Sequence, residues 1–287
     1  NSNRNYISNR FTMDGEINHG RSEELRQTLR TSRLSAGNYF NLIRNRENST
    51  WEFRSATQYA YQPASLLLEE GKSKFNQHSF YTDNSAAYLR KYNGFTQQYK
   101  AGIQGERATM KYIPPTQPND FNASNLSLYF NPYFQLQRGK GLATLSLPLK
   151  AQRYFSQQRS FLFFNPSTYL RYKLDYHWTF SLYGSLKRSA GDFSDLYPGL
   201  YQTDYRTWRS GNGLFPTSTT QTYNLYGEYK NTVQEFFVTA SLTYSRSNRN
   251  TLFEQSVSEN AIVYTQRELP NHSDSWNLSS TLSKGIY

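Results

Sequence analysis

The sequence contains no cysteine, so it can have neither a disulfide framework nor thiolate metal ligands. It also lacks any run of the roughly 18 to 20 apolar residues that a membrane helix needs. Apolar residues make up only 36% of the chain, and the mean hydropathy is −0.82. A soluble globule would hold more Leu, Ile, Val and Ala. These absences exclude helical membrane spanning and do not fit an ordinary soluble core.

Aromatic residues, in contrast, are abundant. The 287 residues include 25 Tyr and 19 Phe, whereas a disordered chain would have few aromatics. Strands with one apolar and one polar face account for both the low hydropathy and the aromatic content, as in a membrane barrel with a polar lumen. We therefore expect an all-β protein, specifically an antiparallel transmembrane β-barrel.

The segment 124–150 shows the alternation most clearly. Every second residue from Leu126 to Leu136 is apolar, the residues between them are mostly polar, and the alternation resumes after Gly139-Lys140. A two-residue turn with Gly first is typical of a type II′ hairpin. Such a turn predicts three apolar pairs: Leu136 with Ala143, Phe134 with Leu145, and Phe130 with Leu149. Pro132 and Pro148 interrupt these strands, because proline removes a ladder donor, and we expect them to mark bulges.

The same period of two recurs along the whole chain and predicts about twelve strands. Most are ten or more residues long, against about five to six in soluble sheets, and tilted strands of about nine to eleven residues cross a bilayer. The predicted strands are centred near Met13, Tyr39, Phe53, Tyr88, Tyr99, Phe130, Leu147, Leu170, Leu182, Leu225, Val238 and Leu278.

The predicted connections alternate in length, as in bacterial outer-membrane barrels with short periplasmic turns and long extracellular loops. The short ones are 46–48, 91–94, 139–140, 175–177 and 231–233. The long ones are 20–33, 63–77, 108–124, 190–218 and 247–274. Aromatic residues near both ends of the apolar bands suit membrane girdles: Trp51 and Trp178 beside short turns, and Tyr59, Tyr61, Tyr154 and Phe155 beside long ones. The alternative is that these rings fill the core of a soluble β-sandwich.

The formal net charge is +11. Because the basic residues are scattered through the polar phase of the strands, with no basic block, we expect no nucleic-acid partner. Acidic glycans or lipid head groups would explain the charge equally well. Only four histidines are present, and no Ser-His-acid set, metal-ligand spacing, P-loop or dinucleotide fingerprint can be assembled. We expect neither enzymatic activity, nor a cofactor, nor a metal.

The segment 190–218 is the most informative region outside the strands. It offers flat aromatic faces beside cations, which suits sugar rings, peptides or a partner protein. The alternative is a loop that folds over its own aromatics and caps the barrel. The residues predicted to contact a ligand or partner are Tyr197, Tyr201, Tyr205, Arg206, Trp208 and Arg209.

The polar phase of the strands supplies the candidate lumen residues. They are Arg54, Lys100, Tyr169, Arg171, Lys173, Glu228 and Lys230. We expect loss of Arg171 or Lys173 to alter the passage of a solute or the contact with a domain in the lumen without unfolding the wall.

A family resemblance rests on particular stretches. DFSDLYPGLY at 192–201, followed by TDYRT at 203–207, resembles a loop of TonB-dependent outer-membrane receptors of the Bacteroidetes type. The segment NHGRSEEL at 18–25 and the strands 51–61 and 80–92 are similar to the same family, and the similarity runs across most of the chain. The family has a barrel of about 22 strands, with a plug domain in the lumen whose TonB box receives energy from the inner membrane.

The resemblance implies that residues 1–287 are the barrel portion of such a receptor, which imports a large nutrient such as a glycan or peptide fragment. No plug is recognisable in this chain, and Tyr287 lies in the opposite phase from Trp276 and Leu278, so we expect a fragment of a longer barrel. The implied partners are membrane lipid and lipopolysaccharide, a surface lipoprotein, and TonB through the plug. Two alternatives remain open: a complete passive porin of about twelve strands, and a receptor-like barrel that scaffolds surface proteins.

Overall fold

The computed structural model describes residues 4–21, 26–68, 71–113, 119–191, 193–197, 199–202, 207–211, 213, 215–258 and 261–285. Almost all of them lie in β-strands that form one sheet. Neighbouring strands run antiparallel, apart from one short parallel pair. The predicted all-β antiparallel fold is confirmed. In this described part of the chain, no helix is both long and apolar enough to cross a membrane.

Over the described residues the sheet contains sixteen strands, and a short 3-10 helix (Phe193–Leu196) precedes β12. The strands are β1 (Arg4–Arg21), β2 (Arg26–Asn45), β3 (Ser49–Leu68), β4 (Gly71–Tyr92), β5 (Phe95–Ile113), β6 (Asn119–Arg138), β7 (Gly141–Ser146), β8 (Leu149–Tyr154), β9 (Arg159–Phe164), β10 (Ser167–Lys173), β11 (Trp178–Ala190), β12 (Leu200–Gln202), β13 (Thr207–Ser210), β14 (Thr217–Asn231), β15 (Phe236–Val257) and β16 (Ile262–Lys284).

Twelve long wall strands emerge when the short pieces are joined. Strands β7 and β8 both pair with β6; on their other side, β7 pairs with β10 and β8 pairs with β9. Strands β7 and β8 are therefore two halves of one wall strand, and β9 and β10 are two halves of the next. Strands β12 and β13 belong to the connection between β11 and β14. The wall strands follow one another in chain order as a meander. Eleven of the predicted centres lie within these strands, and Leu147 lies between β7 and β8.

Pro148 lies at the break between β7 and β8, and Pro132 lies opposite this break within β6. Neither proline forms a bulge, which corrects the expectation from the sequence. Tyr133 lies opposite Ser146 and Phe130 lies opposite Leu149, so the register is the same on both sides of the break. The carbonyl of Pro132 accepts a hydrogen bond from the Leu147 N–H at 2.9 Å, and the carbonyl of Pro148 accepts one from Asn165. Proline lacks a donor but keeps its acceptor, so the ladder loses single bonds while the pairing continues.

The hairpin of β6 and β7 has the predicted register. Leu136 lies opposite Ala143, Phe134 opposite Leu145, and Phe130 opposite Leu149 in β8. Gly139 has a φ of +53°, and Lys140 is not among the described residues with positive φ. This combination fits a type II′ turn, in which the first central position favours glycine. The turn chemistry therefore sets the register that brings the apolar residues together.

One apolar row crosses five successive wall strands, β10, β11, β14, β15 and β16. The residues lie directly opposite one another, and all are exposed: Leu170, Leu182, Leu225, Leu242 and Leu278. The next row in the same strands is polar: Arg171, Ser181, Tyr226, Ser241 and Ser279. We call the face with the leucine row the outer face and the polar face the inner face. No described element covers the outer face, and an apolar surface of this extent is typical of a membrane or a protein interface.

Most of the long connections differ from the prediction because the strands continue into them, whereas the connection predicted at 190–218 lies between β11 and β14 as expected. Residues 63–68 and 71–77 pair in β3 and β4, and most of 247–274 pairs in β15 and β16. The strands of these hairpins reach 20 to 23 residues, which is about twice what a bilayer requires. These extensions are rich in polar residues, but their backbone N–H and C=O groups are satisfied by pairing between the two strands of each hairpin. Pro63 takes part in this pairing opposite Asn76. The connections predicted to be short are short in the structure. The two ends of the sheet therefore still differ: one end has short turns, and the other has long strand extensions and the connection between β11 and β14.

Aromatic side chains mark the short-turn end of the outer face as expected. The Trp51 ring lies 4.8 Å from the Tyr88 ring, and the Trp178 ring lies 4.9 Å from the Tyr229 ring, measured between centroids. At the opposite end, Phe155 is exposed, whereas Tyr154 is only 3% exposed. Adjacent residues of a strand point to opposite faces, so Tyr154 faces inward. Its predicted place in a girdle is wrong.

The connection between β11 and β14 folds onto the inner face. Phe193, Leu196, Tyr197 and Phe215 are buried against the far ends of β5, β6, β8 and β9. The Tyr154 ring lies 4.4 Å from that of Phe215, and Tyr197 makes edge contacts with Phe75 and Phe121. Phe193, Tyr197 and Phe215 therefore pack on the wall, as in the capping alternative. We call this group the aromatic cap.

Candidate functional site

The inner face between the short turns and the aromatic cap is the candidate functional site. Its residues belong to the polar phase of the strands, and the hairpin registers place them side by side. Among the cavities on this face in the described part of the chain, two contain the candidate site residues. The lower cavity is near the short turns, and the upper cavity lies beneath the aromatic cap.

The lower cavity has a volume of about 770 Å³ and is built from β10, β11, β14 and the 174–177 turn. Lys173 lies opposite Thr179, which lies opposite Glu228, so three strands contribute one row. The structure brings five of the seven predicted lumen residues together in this cavity: Tyr169, Arg171, Lys173, Glu228 and Lys230.

The charge of the lower cavity is predominantly positive. Its lining includes the cations Lys140, Arg171, Lys173 and Lys230 and the carboxylates Asp175 and Glu228. Within the described residues, Arg171, Lys173 and Lys230 form no salt bridge, and the Lys140 Nζ donates to the Leu174 carbonyl at 2.7 Å. Four cations against two carboxylates give a surface that attracts an anionic group.

The turn at the floor of this cavity is held by Asp175. Its Oδ1 accepts hydrogen bonds from the N–H groups of His177 and Trp178, both at 2.7 Å. These two donors hold the pKa of the Asp175 carboxyl below its usual value, because hydrogen bonds to the charged form favour it. The turn lies beyond the ends of β10 and β11, where His177 borders the cavity and stacks on the Tyr229 ring at 5.7 Å.

The two remaining predicted lumen residues also face inward but lie away from the lower cavity. The Arg54 Nε donates to the Glu52 Oε1 at 2.8 Å. The Lys100 Nζ lies 5.6 Å from the centre of the Tyr129 ring. Both cations therefore already have partners on the wall, which distinguishes them from Arg171 and Lys173.

A polar network joins β4, β5, β6 and β8 in the middle of the inner face. The Tyr129 hydroxyl donates to Asp83 Oδ1 at 2.7 Å, and the Lys150 Nζ donates to Gln104 Oε1 at 3.3 Å. The Tyr129 ring lies over Gly102, where an added Cβ would come within 2.4 Å of the ring. Glycine at this position allows the tyrosine to lie flat against the wall.

The upper cavity, of about 540 Å³, lies between this network and the aromatic cap. Glu106, Asn125, Lys150 and Lys187 contribute to its lining. The Asn125 Nδ2 donates to Glu106 Oε2 at 3.2 Å, while its buried Oδ1 has no hydrogen-bond partner among the described residues. Asn125 and Lys150 are not among the site residues predicted from the sequence. Their two-residue phase, shared with other inner-face residues, is the signal that could have identified them.

The predicted ligand loop is only partly brought together. Tyr197 is fully buried in the aromatic cap, and Trp208 packs against it. The Arg209 guanidinium lies 4.6 Å from the centre of the Phe253 ring. Tyr201 lies in β12 opposite Arg209, and Tyr205 and Arg206 lie outside the described residues. Tyr197 therefore supports the cap from within and offers no free ring face.

Strand β13 anchors this connection at a second place. It pairs in parallel with the beginning of β16, Thr207 opposite Ile262 and Ser210 opposite Thr265. Tyr197, directly after the 3-10 helix, packs on Phe75 of β4 and Phe121 of β6. The connection therefore contacts two separate parts of the wall: the inner face of β4 and β6, and the edge of β16. Over the described ranges, no group of three or more His, Asp or Glu side chains could hold a metal ion.

Comparison with known proteins adds the fold family. No family model matches the sequence, and no curated protein matches it significantly. Among solved structures, the siderophore receptor PirA from Pseudomonas aeruginosa shares 12% identity and a TM-score of 0.50 over 98% of this chain and 66% of that one. The ferric citrate transporter FecA shares 9% identity and a TM-score of 0.56 over 88% of this chain and 39% of that one. The alcaligin outer-membrane receptor FauA from Bordetella pertussis shares 13% identity and a TM-score of 0.50 over 99% of this chain and 50% of that one.

The chain has the wall fold of outer-membrane receptor barrels. These structural neighbours are TonB-dependent receptors, and the chain spans between 39% and 66% of their lengths. Among the described residues, β1 and β16 do not pair with each other, so the sheet is an open portion of a barrel wall.

Proposed function

We propose that this chain is the barrel portion of a TonB-dependent outer-membrane receptor of the Bacteroidetes type, which imports a large nutrient. The nutrient is a glycan or peptide fragment that carries acidic groups. The outer face contacts lipid and lipopolysaccharide, and a plug domain that is not recognisable in this chain contacts TonB. The extracellular side, including the connection between β11 and β14, meets a surface lipoprotein that delivers the nutrient.

The observation that carries this proposal is the contrast between the two faces of the same strands. The exposed leucine row on one face suits hydrocarbon, and the cationic cavity on the other suits a hydrated anionic solute. The unpaired cations Arg171, Lys173 and Lys230 favour acidic groups over neutral ones. The solved neighbours are described as receptors and transporters of siderophores and ferric citrate, which agrees with import.

The experiment uses the full-length gene in its native host. Uptake of labelled acidic and neutral oligosaccharides and peptides is measured in cells with the gene, without it, and with TonB inactivated. We expect at least one acidic ligand whose uptake needs both the gene and TonB. Uptake that persists without TonB would support the passive porin instead, and a stably bound surface partner without any uptake would support the scaffold.

The role of the lower cavity is tested in the same cells. The double variant Arg171→Gln/Lys173→Gln should reduce uptake of the acidic ligand while the barrel reaches the membrane at normal levels. The control is Arg153→Gln, because Arg153 is an exposed cation in the outward phase of β8. Equal uptake by both variants and the wild type would contradict the assignment of the cavity.

A further inference from the structure

An apolar trough runs along β7 on the outer face. It has a volume of about 360 Å³ and lies between β6 on one side and β10 and β11 on the other. The side chains that line it include Leu136, Ala143, Leu170, Tyr172, Phe180 and Leu182. It lies on the leucine face, whereas the lower cavity lies on the inner face. Arg171 and Ser181 border both, because the trough and the lower cavity are on opposite sides of the same strands.

The trough exists because β7 presents small residues where its neighbours present large ones. Gly141 lies between Arg138 and Tyr172, and Ala143 lies between Leu136 and Leu170, each directly opposite. Neighbouring strands lie about 4.8 Å apart, so the large side chains of β6 and β10 stand about 10 Å apart. A Cβ at Gly141 would meet the Arg138 carbonyl oxygen at 3.5 Å and the Tyr172 ring at 4.0 Å, both ordinary contacts, so the neighbours do not fill the space over Gly141. The floor consists of small residues, and the side walls are mainly apolar.

A cation stands at the end of the trough. Arg138 is the last residue of β6, borders the trough beside the Gly139-Lys140 turn, and is exposed. Within the described residues it forms no salt bridge. A guanidinium binds phosphate through two parallel hydrogen bonds. The short turns are at the end where the head groups of the inner leaflet would lie, and the trough continues from there toward the middle of the apolar band.

We propose that this trough is a binding site for one glycerophospholipid of the inner leaflet. One acyl chain lies over Gly141 and Ala143 between the large side chains of β6 and β10, and the phosphate of the head group contacts the guanidinium of Arg138. Apolar contact along the chain and a charge-assisted contact at its head together explain why small residues and an unpaired arginine occur at this place. The inference rests on the proposed position in the outer membrane.

The test counts bound phospholipid by native mass spectrometry. The full-length protein is extracted in a mild detergent, exchanged into nanodiscs of phosphatidylethanolamine and phosphatidylglycerol, and released. We expect the wild type to retain phospholipid. Ala143→Phe fills the floor and should lose it, while Ala240→Phe, the same change at an exposed outer-face position outside the trough, should retain it. Arg138→Gln should lose it, whereas Arg46→Gln, at the exposed turn between β2 and β3, should not.

Equal retention by Ala143→Phe and Ala240→Phe would overturn the site, and so would a copurifying protein that replaces the lipid at the trough. Retention by Arg138→Gln equal to the wild type would overturn the head-group contact. These outcomes are distinct from failure of the proposed function. A protein that proves native in buffer without detergent would overturn the membrane position itself, whereas a membrane-embedded protein with equal lipid retention would overturn only the trough.

Discussion

Leu182 in β11 lies directly opposite Leu225 in β14, and both side chains are exposed, at 43% and 54%. Tyr183 follows Leu182 in β11 and lies opposite Asn224, which precedes Leu225 in β14. Both Tyr183 and Asn224 belong to the polar inner face. One step along a strand therefore exchanges an apolar environment for a polar one. If lipid covers the outer face, charge should be tolerated on one side of this step and not on the other.

Leu182→Arg should lower the free energy of unfolding by about 2 to 4 kcal/mol, which is the cost of a cationic side chain near the bilayer midplane. Tyr183→Arg, on the inner face, should cost much less because its charge remains hydrated. The measurement is urea unfolding of the protein refolded into lipid vesicles. Similar losses for the two variants would mean that the faces do not differ in environment.

Gly102→Ala should destabilise the wall by about 1 to 3 kcal/mol, the usual cost of overpacking. The added Cβ would approach the Tyr129 ring within 2.4 Å and the Asn84 carbonyl oxygen within 2.8 Å. The control is Gly184→Ala, where the nearest atom would lie at 3.6 Å, an ordinary contact. The same unfolding assay measures both. A Gly102→Ala protein as stable as Gly184→Ala would show that Tyr129 does not lie against this glycine.

Tyr154→Ala should loosen the aromatic cap, because it removes a buried ring that contacts Phe161, Phe193 and Phe215. Loss of a buried aromatic ring costs about 3 to 5 kcal/mol. Hydrogen exchange should therefore become faster in residues 193–197, while β15 keeps its protection. Phe155→Ala, at the exposed neighbouring position, is the control and should leave exchange in the cap unchanged. Faster exchange in both variants would indicate a nonspecific effect.

Asp175 gives the short turn between β10 and β11 a pH dependence. Its pKa is held low by the N–H groups of His177 and Trp178, so its stabilising contribution is complete above the unfolded value of about 3.9. That contribution is lost as the pH falls through the lower pKa of the folded state. The stability difference between the wild type and Asp175→Ala should be constant near neutral pH and shrink below about pH 4.

The control for this prediction is Asp175→Asn, which keeps an acceptor oxygen but cannot titrate. Its difference from Asp175→Ala should stay constant across the acidic range. Unfolding in vesicles at a series of pH values provides the measurement. If the stability difference between the wild type and Asp175→Ala did not change on acidification, the charge of the Asp175 carboxylate would not contribute to the stability of the turn.

The strands of the wall could be predicted from the sequence because their alternation is local. The period of two around Leu182 and Phe130 and the glycine-first turn at Gly139 are sufficient to place strand centres and one register. The strand ends could not be predicted in this way. Residues 63–77 contain Pro63 and many polar side chains that resemble a loop, yet they pair because each strand of the hairpin satisfies the other's backbone groups.

The inner site was predictable only in part. Tyr169, Arg171 and Lys173 share one phase of β10, and the sequence therefore places them together. Their meeting with Glu228 and Lys230 depends on the pairing of β11 with β14, across a connection of 26 residues from 191 to 216. The inward folding of Tyr197 was not predictable, since it depends on Phe75 and Phe121, which lie far away in the sequence.

The most direct test of the lipid-covered outer face uses spin labels along β11. The chain has no cysteine, so single cysteines can be introduced without a background, and the labelled protein is reconstituted into vesicles. We predict high accessibility to oxygen at Phe180, Leu182 and Leu186, and high accessibility to a water-soluble nickel reagent at Ser181, Tyr183 and Ser185. Immobilised labels at positions 180, 182 and 186 that neither reagent reaches would contradict the account, because another protein layer would then cover the leucine row.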